Sequence, residues 1–336
     1  MRKHFLSSAI LTIVLIVVAF CASGASAQSP IENSGDRVFL VSSRHLPDGY
    51  CRASPWDALR YYQVGPRACR PMTADEYVSS IQPARPVVFY VHGNRMPSSE
   101  ILRRANSVRQ QIRCRVNRPA IDWVIFSWPS SKTSLGIRDF REKADRSETD
   151  AIFLADLIRK HAERGCTIAL VGYSFGARVA TGSLHVLAGG VLKERHTIEN
   201  PLFGANISVG LIAPALESSW LGKNGYHGLA TRNMHDLTLL YNRRDAVLKR
   251  YWLLEKVRRE TALGFSGPTC FAPRFDGSRL PVRSRDCSPS VKLRHAELDY
   301  YESRCNAGCD LARMINAVVP ATPLNQCTLN NLSAGD

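Results

Sequence analysis

The chain has 336 residues, 44 Lys and Arg against 29 Asp and Glu, a formal charge of +15, and 45% hydrophobic residues. That apolar share, with no repeat or low-complexity block, excludes a disordered chain, and the length suits one large domain. The charge favours anionic partners such as a surface or polymer, but the basic residues are scattered and carry no RNA- or DNA-binding signature, so no nucleic-acid partner is expected.

Residues 1–27 read as a secretory signal: Arg2 and Lys3, the apolar stretch Ala9–Cys21, then Ala25-Ser26-Ala27 as a cleavage site before Gln28. The apolar stretch is too short to span a bilayer. A secreted or periplasmic product is therefore expected, with residues 28–336 as a single domain whose core covers about 37–318. Ten cysteines, of which Cys21 alone falls in the signal, argue for disulfides. Cys51 with Cys69 and Cys270 with Cys287 are the most local pairs, each closing a loop of about 20 residues. Cys305, Cys309 and Cys327 lack a zinc spacing, so no metal is expected.

RVFLVSS (37–43) reads as a first strand and ALRYYQV (58–64) as a second. PVVFYVHGNR (86–95) is a buried strand that ends in His92-Gly93-Asn94-Arg95. A His-Gly strand exit is a place for an oxyanion donor, which makes the Asn94 N–H a candidate and leaves His92 structural. Residues 98–114 have helical spacing. The strand IDWVIFSWPS (121–130) follows, with Trp128 at its exit as a candidate substrate contact, and a helix is expected over 137–164.

CTIALVGYSFGARVATGSLHVL (166–187) then reads as strand, sharp turn and helix. Gly172, Ser174 and Gly176 form G-x-S-x-G, in which a strained turn lifts the serine above the sheet. Glycine on either side avoids collision with neighbouring backbone. The Phe175 N–H opens the helix beside the serine and is the other oxyanion candidate.

NISVGLIAPAL (206–216) and DLTLLYN (236–242) are two more strands, joined by a loop that carries Trp220 and Tyr226 and could cap the site. Residues 263–289 read as a disulfide-stapled insertion, after which VKLRH (291–295), a last strand or extended arm, delivers His295. Strands alternate with helices from Val87 onward and are too apolar for a one-sided sheet. A mainly parallel, doubly wound α/β sheet is the economical architecture.

A serine nucleophile needs a base and a carboxylate that orients it. Asp245, just past the strand at 236–242, is the leading acid, and Glu217 after APAL is the alternative. Only His295 follows Asp245, so with Asp245 as acid the base is determined.

VFYVHGN, VIFSWPS, the Asp139–Glu148 segment, VGYSFGARV, LIAPAL and LLYNRRDAVL, in that order, resemble the α/β-hydrolase superfamily and more narrowly bacterial serine hydrolases of the DUF900 type. The resemblance implies an α/β-hydrolase fold with Ser174 as nucleophile, Asp245 as acid and His295 as the late histidine. Asn94 stands where relatives often carry a bulkier residue, and Tyr173-Ser174-Phe175 replaces the commoner His-Ser-Met. The activity expected is hydrolysis of a small-molecule or lipid-like ester through an acyl-enzyme, without cofactor. The alternative is a non-catalytic protein of the same fold that binds anionic lipid or polysaccharide.

Overall fold

The structure, a computed structural model, describes residues 35–48, 55–193, 200–254, 261–302 and 304–319. Residues 35–336 form one compact unit. The expected signal, Cys51 and Cys327 lie outside the described residues.

The strands are β1 (Arg37–Ser42), β2 (Arg60–Val64), β3 (Cys69–Met72), β4 (Val87–Val91), β5 (Asp122–Ser127), β6 (Ile168–Tyr173), β7 (Ile207–Ile212), β8 (Met234–Tyr241) and β9 (Val282–Asp286). They make one sheet in the order β3-β2-β1-β5-β4-β6-β7-β8-β9. Every pairing from β1 to β9 is parallel, and β2 and β3 add an antiparallel edge. The fold is thus α/β with a mainly parallel sheet. All residues of β4, β5, β6 and β7 are buried, as uninterrupted apolar runs require when both faces are covered.

The helices are α1 (Ala74–Ser80), α2 (Ile101–Arg113), α3 (Gly136–Ala162), α4 (Phe175–Leu187), α5 (Leu263–Ser266), α6 (Ser288–Val291), α7 (Glu297–Tyr301) and α8 (Ala307–Ala317). From β4 the chain steps through α2 to β5, returns through α3 past β4 to β6, and continues through α4 to β7. Right-handed crossovers put α2 on one face and α3 with α4 on the other. In agreement, α3 packs along α4, while α8 packs on α2 and on β7. Because the winding reverses at β4, a crevice opens at the carboxyl ends of β4 and β6, where ligands bind in open α/β sheets.

Two expectations are corrected. The last strand is β9, inside the segment read as an insertion, and VKLRH is not a strand: its first residue ends α6 and the rest is loop. β9 is mostly exposed and reads VRSRD, so it carries no apolar alternation to reveal it. Cys287 pairs with Cys305 rather than Cys270, which is a free, exposed thiol. The Cys270 segment is held elsewhere: Thr269 donates to the Ser218 carbonyl and the Ala272 N–H to that of Leu221. The extended β9 leads into Cys287, whose N–H bonds to the Tyr241 carbonyl. The staple therefore closes the segment after β9, the one that holds His295.

Candidate active site

Ser174 sits between β6 and α4 with φ 52° and ψ −121°, a conformation that L residues rarely adopt. The two flanking glycines make this turn possible. A Cβ on Gly176 would lie 2.2 Å from the Val91 carbonyl oxygen, and one on Gly172 would lie 2.8 Å from the Gly176 oxygen. β4 and α4 therefore approach more closely than any side chain allows. The Ser174 N–H bonds to the Ile212 carbonyl at 3.0 Å, and its own carbonyl accepts from Ala215 at 3.1 Å. Neighbouring backbone holds the strained turn in place.

Three residues far apart in sequence meet here. The Ser174 hydroxyl lies 2.9 Å from His295 Nε2, and His295 Nδ1 lies 2.6 Å from Asp245 Oδ2. Asp245 is fully buried just past β8, and its other oxygen accepts the Val247 and Leu248 N–H groups, each at 2.9 Å. Those bonds fix the carboxylate plane. Glu217 forms an isolated backbone bridge with Ala262 instead. The His295 nitrogen that an alternative acid would need is engaged by Asp245.

The loop that carries His295 is clamped on several sides. Tyr173 donates to the His295 carbonyl at 3.0 Å and stacks on its ring at 5.5 Å. Asn242 donates to the Lys292 carbonyl at 2.8 Å, and the Ala246 N–H bonds to the Leu293 carbonyl at 3.1 Å. Glu297, buried two residues past the histidine, accepts Tyr90 O–H at 2.9 Å to either oxygen. Burial pushes its carboxyl up to about 7 against the stabilising pull of Tyr90 and Arg104.

This raised value carries a sign. Between the ordinary 4.5 and about 7 the unfolded chain has released the Glu297 proton while the folded chain keeps it. Stability falls as pH rises through that window, by roughly 3 kcal/mol in total for this group. Glu297→Gln is expected to remove that part of the slope, so its advantage over the parent should grow from pH 5 to pH 8. Denaturant melts across that range check it, and parallel curves would contradict it.

Phe175 opens α4, whose first N–H groups have no partner within the helix. Asn94 lies across the crevice, after β4. Its Oδ1 accepts the Arg95 N–H at 2.8 Å, and its buried Nδ2 has no partner among the described residues. Arg95 has φ 58° and is held twice: its Nε reaches Asp139 at 3.4 Å, and its guanidinium lies 4.5 Å over the Phe140 ring. Asp139, fully buried, also accepts the Thr133 and Ser134 N–H groups. It ties the Asn94 loop to the start of α3. His92 is buried, bonded and stacked on Trp128, and burial, helped by Arg44, lowers it to about 3. It stays neutral and structural.

A cavity of about 510 Å³ opens on Ser174 and His295. Asn94, Arg95 and Phe175 line it, with Phe140 of α3 and a short 3₁₀ segment after β8 that supplies Leu248 and Tyr251. Trp128, Trp220 and Tyr226, the expected pocket aromatics, do not line it. Trp128 is fully buried and donates Nε1–H to the His92 carbonyl at 2.8 Å. Trp220 packs against Tyr226 and His227 with the Arg178 guanidinium 4.5 Å over its ring, and Tyr226 donates to Glu148. The 218–235 loop thus backs α4, and residues 246–254 form the roof. Strand exits mark an edge of the sheet but not the direction in which a ring points.

Arg178, absent from the sequence-based list, joins these parts. It is buried on α4 one turn past the serine, donates to the Tyr251 hydroxyl at 2.9 Å and reaches Glu148 at 3.4 Å. It couples the elbow helix to the roof. Its only sequence signal was an arginine on a helix otherwise built of small and apolar residues with Thr181, Ser183 and His185. Among the described residues no cluster of His, Cys, Asp or Glu forms a metal-ligand set.

A family described as "Alpha/beta hydrolase of unknown function (DUF900)" matches residues 74–264. Comparison with curated proteins gives no match. Among solved structures, esterase B from Lactobacillus rhamnosis with a C4-C4 SN3 tributyrin phosphonate is 14% identical with a TM-score of 0.36, over 93% of this chain and 96% of that one. The same esterase with a C6-C4 SN3 inhibitor gives the same identity and score over 98% and 100%.

Proposed function

Since the chain belongs to the DUF900 family of α/β-hydrolases, whose function is unknown, we propose that this hydrolase is a serine esterase acting on an acyl ester with an apolar acyl part. The observation that carries this reading is the relay of 2.9 Å and 2.6 Å from Ser174 through His295 to Asp245, built on a strained serine. His295 Nε2 takes the Ser174 proton as the oxygen attacks the ester carbonyl. The negative charge moves to the carbonyl oxygen, between the Phe175 and Asn94 N–H groups. The protonated His295 is stabilised by Asp245 and passes its proton to the departing alcohol. Water then repeats the sequence on the acyl-enzyme.

The cavity supports the choice of substrate. Its lining is mostly apolar, and among the described residues Arg95 and Arg250 are the charged side chains beside the triad and no carboxylate lines it. An acyl chain of an uncharged or anionic ester suits such a site. Export, with cleavage after Ala27, belongs to the same proposal, and the Cys287–Cys305 bridge supports an oxidising compartment.

A fluorophosphonate probe tests the reading without knowledge of the substrate. Labelling is expected at Ser174, located by peptide mass spectrometry, and is expected to vanish in Ser174→Ala and His295→Ala. A folded protein that takes no label would instead be a non-catalytic binding protein of this fold.

A further inference from the structure

Large apolar side chains are rarely left in water without a use when they gather in one place. Among the described residues six are exposed, and five of them, Leu135, Ile137, Val247, Trp252 and Leu293, belong to three segments around the mouth of the Ser174 cavity. Ile137 and Val247 line that mouth themselves. Leu135, 79% exposed, precedes α3 two residues before Ile137. Leu293, 61% exposed, sits on the histidine loop, where its carbonyl holds Ala246 beside Val247. Trp252 lies between Tyr251 and Leu253, both lining residues. Arg141 ties two of these segments together by donating to the Leu253 carbonyl at 2.9 Å.

Cations stand beside this apolar ring on the same segments. Arg244, Lys249, Arg250 and Lys292 are exposed, and among the described residues none has a carboxylate within ion-pair distance. Arg138, Arg243 and Arg294 are exposed too, but each is paired with an acid. An apolar ring flanked by unpaired cations is the pattern of a surface that seats its apolar part among acyl chains and its charges among anionic headgroups.

We propose that this rim docks the protein on an anionic lipid surface, so that an acyl ester passes from that surface into the cavity without crossing water. The second half rests on the serine-esterase reading. The first half stands without it. A lipid surface is favoured over an acidic protein because the exposed apolar ring runs into the apolar lining of the cavity. A protein partner seated there would cover the entrance.

The test uses the chain from Gln28, which keeps the whole compact unit of residues 35–336, with Ser174→Ala so that nothing is hydrolysed. It is sedimented with phosphatidylcholine vesicles that contain or lack phosphatidylglycerol. Partitioning is expected to be at least about tenfold greater with the anionic lipid, and to weaken as salt is raised from about 0.1 M to about 1 M. Leu135→Asp with Leu293→Asp, and separately Lys249→Glu with Lys292→Glu, are each expected to cut binding about tenfold while the thermal melt stays unchanged. Equal partitioning into both vesicles, or full binding by either double variant, would overturn the proposal. So would capture by soluble dextran sulfate without vesicle binding, which would assign the charge to a polymer. Fluorophosphonate labelling of the unaltered protein reads the catalytic proposal separately, so the two can fail independently.

Discussion

Asp245→Asn is expected to lower kcat on a soluble ester by about ten-thousand-fold, the scale set by loss of the orienting acid in a Ser-His-Asp relay. One Asp245 oxygen is held by the Val247 and Leu248 N–H groups, so the carboxylate cannot turn away from His295. With the carbonyl oxygen of asparagine in that place, its NH₂ group would face Nδ1. The ring would then carry its proton on Nε2, the atom 2.9 Å from the Ser174 hydroxyl, and could not accept another. Substrate binding needs no carboxylate there, so KM should move little and the loss should fall on kcat. Glu217→Gln serves as the comparison and should leave kcat nearly unchanged. Steady-state kinetics on one ester, with melts to establish folding, decide the matter, and the opposite ranking would make Glu217 the acid.

The parts of the site that sequence made legible are those where backbone geometry restricts the residue type. Glycine at 172 and 176 is required by backbone contacts within 3 Å, so the elbow appears as a motif. The buried parallel strands appear because covering both faces removes polar alternation. The order Ser, Asp, His marked the three residues that the fold brings together, since His295 is the one histidine that follows Asp245. What stayed hidden depends on direction and pairing. Trp128 and Phe140 are both aromatic residues near the carboxyl edge, yet one turns under the sheet exit and the other into the cavity. The residues after Asp245 gave no sign that they close over the serine, because a 3₁₀ turn has no long period to detect. Cys270 is the more local partner for Cys287 in sequence, but the strand β9, which the sequence does not reveal, lies between them in the chain.

Removal of the Cys287–Cys305 bridge, by Cys287→Ser with Cys305→Ser, is expected to cost about 3 kcal/mol of stability and on the order of 100-fold in kcat. The first figure follows from loop closure: the two cysteines are 18 positions apart, and opening that loop releases entropy mainly in the unfolded chain. The second follows from what the loop contains. His295 lies inside it, after Lys292 at φ 58°, a conformation that the loop would not keep unaided. The hydrogen bonds from Tyr173, Asn242 and Ala246 hold one side of the loop, and the bridge closes the other end next to α7. A histidine displaced by about 1 Å loses alignment with both Ser174 and Asp245, and such a shift is enough for a loss of this size. The two effects separate in one experiment. At a temperature where the variant is still folded by circular dichroism, slow fluorophosphonate labelling of Ser174 would place the bridge in the positioning of His295. Labelling at the parent rate, with only the melt lowered, would mean that the bridge acts on the unfolded chain alone and that the hydrogen bonds suffice to hold the base.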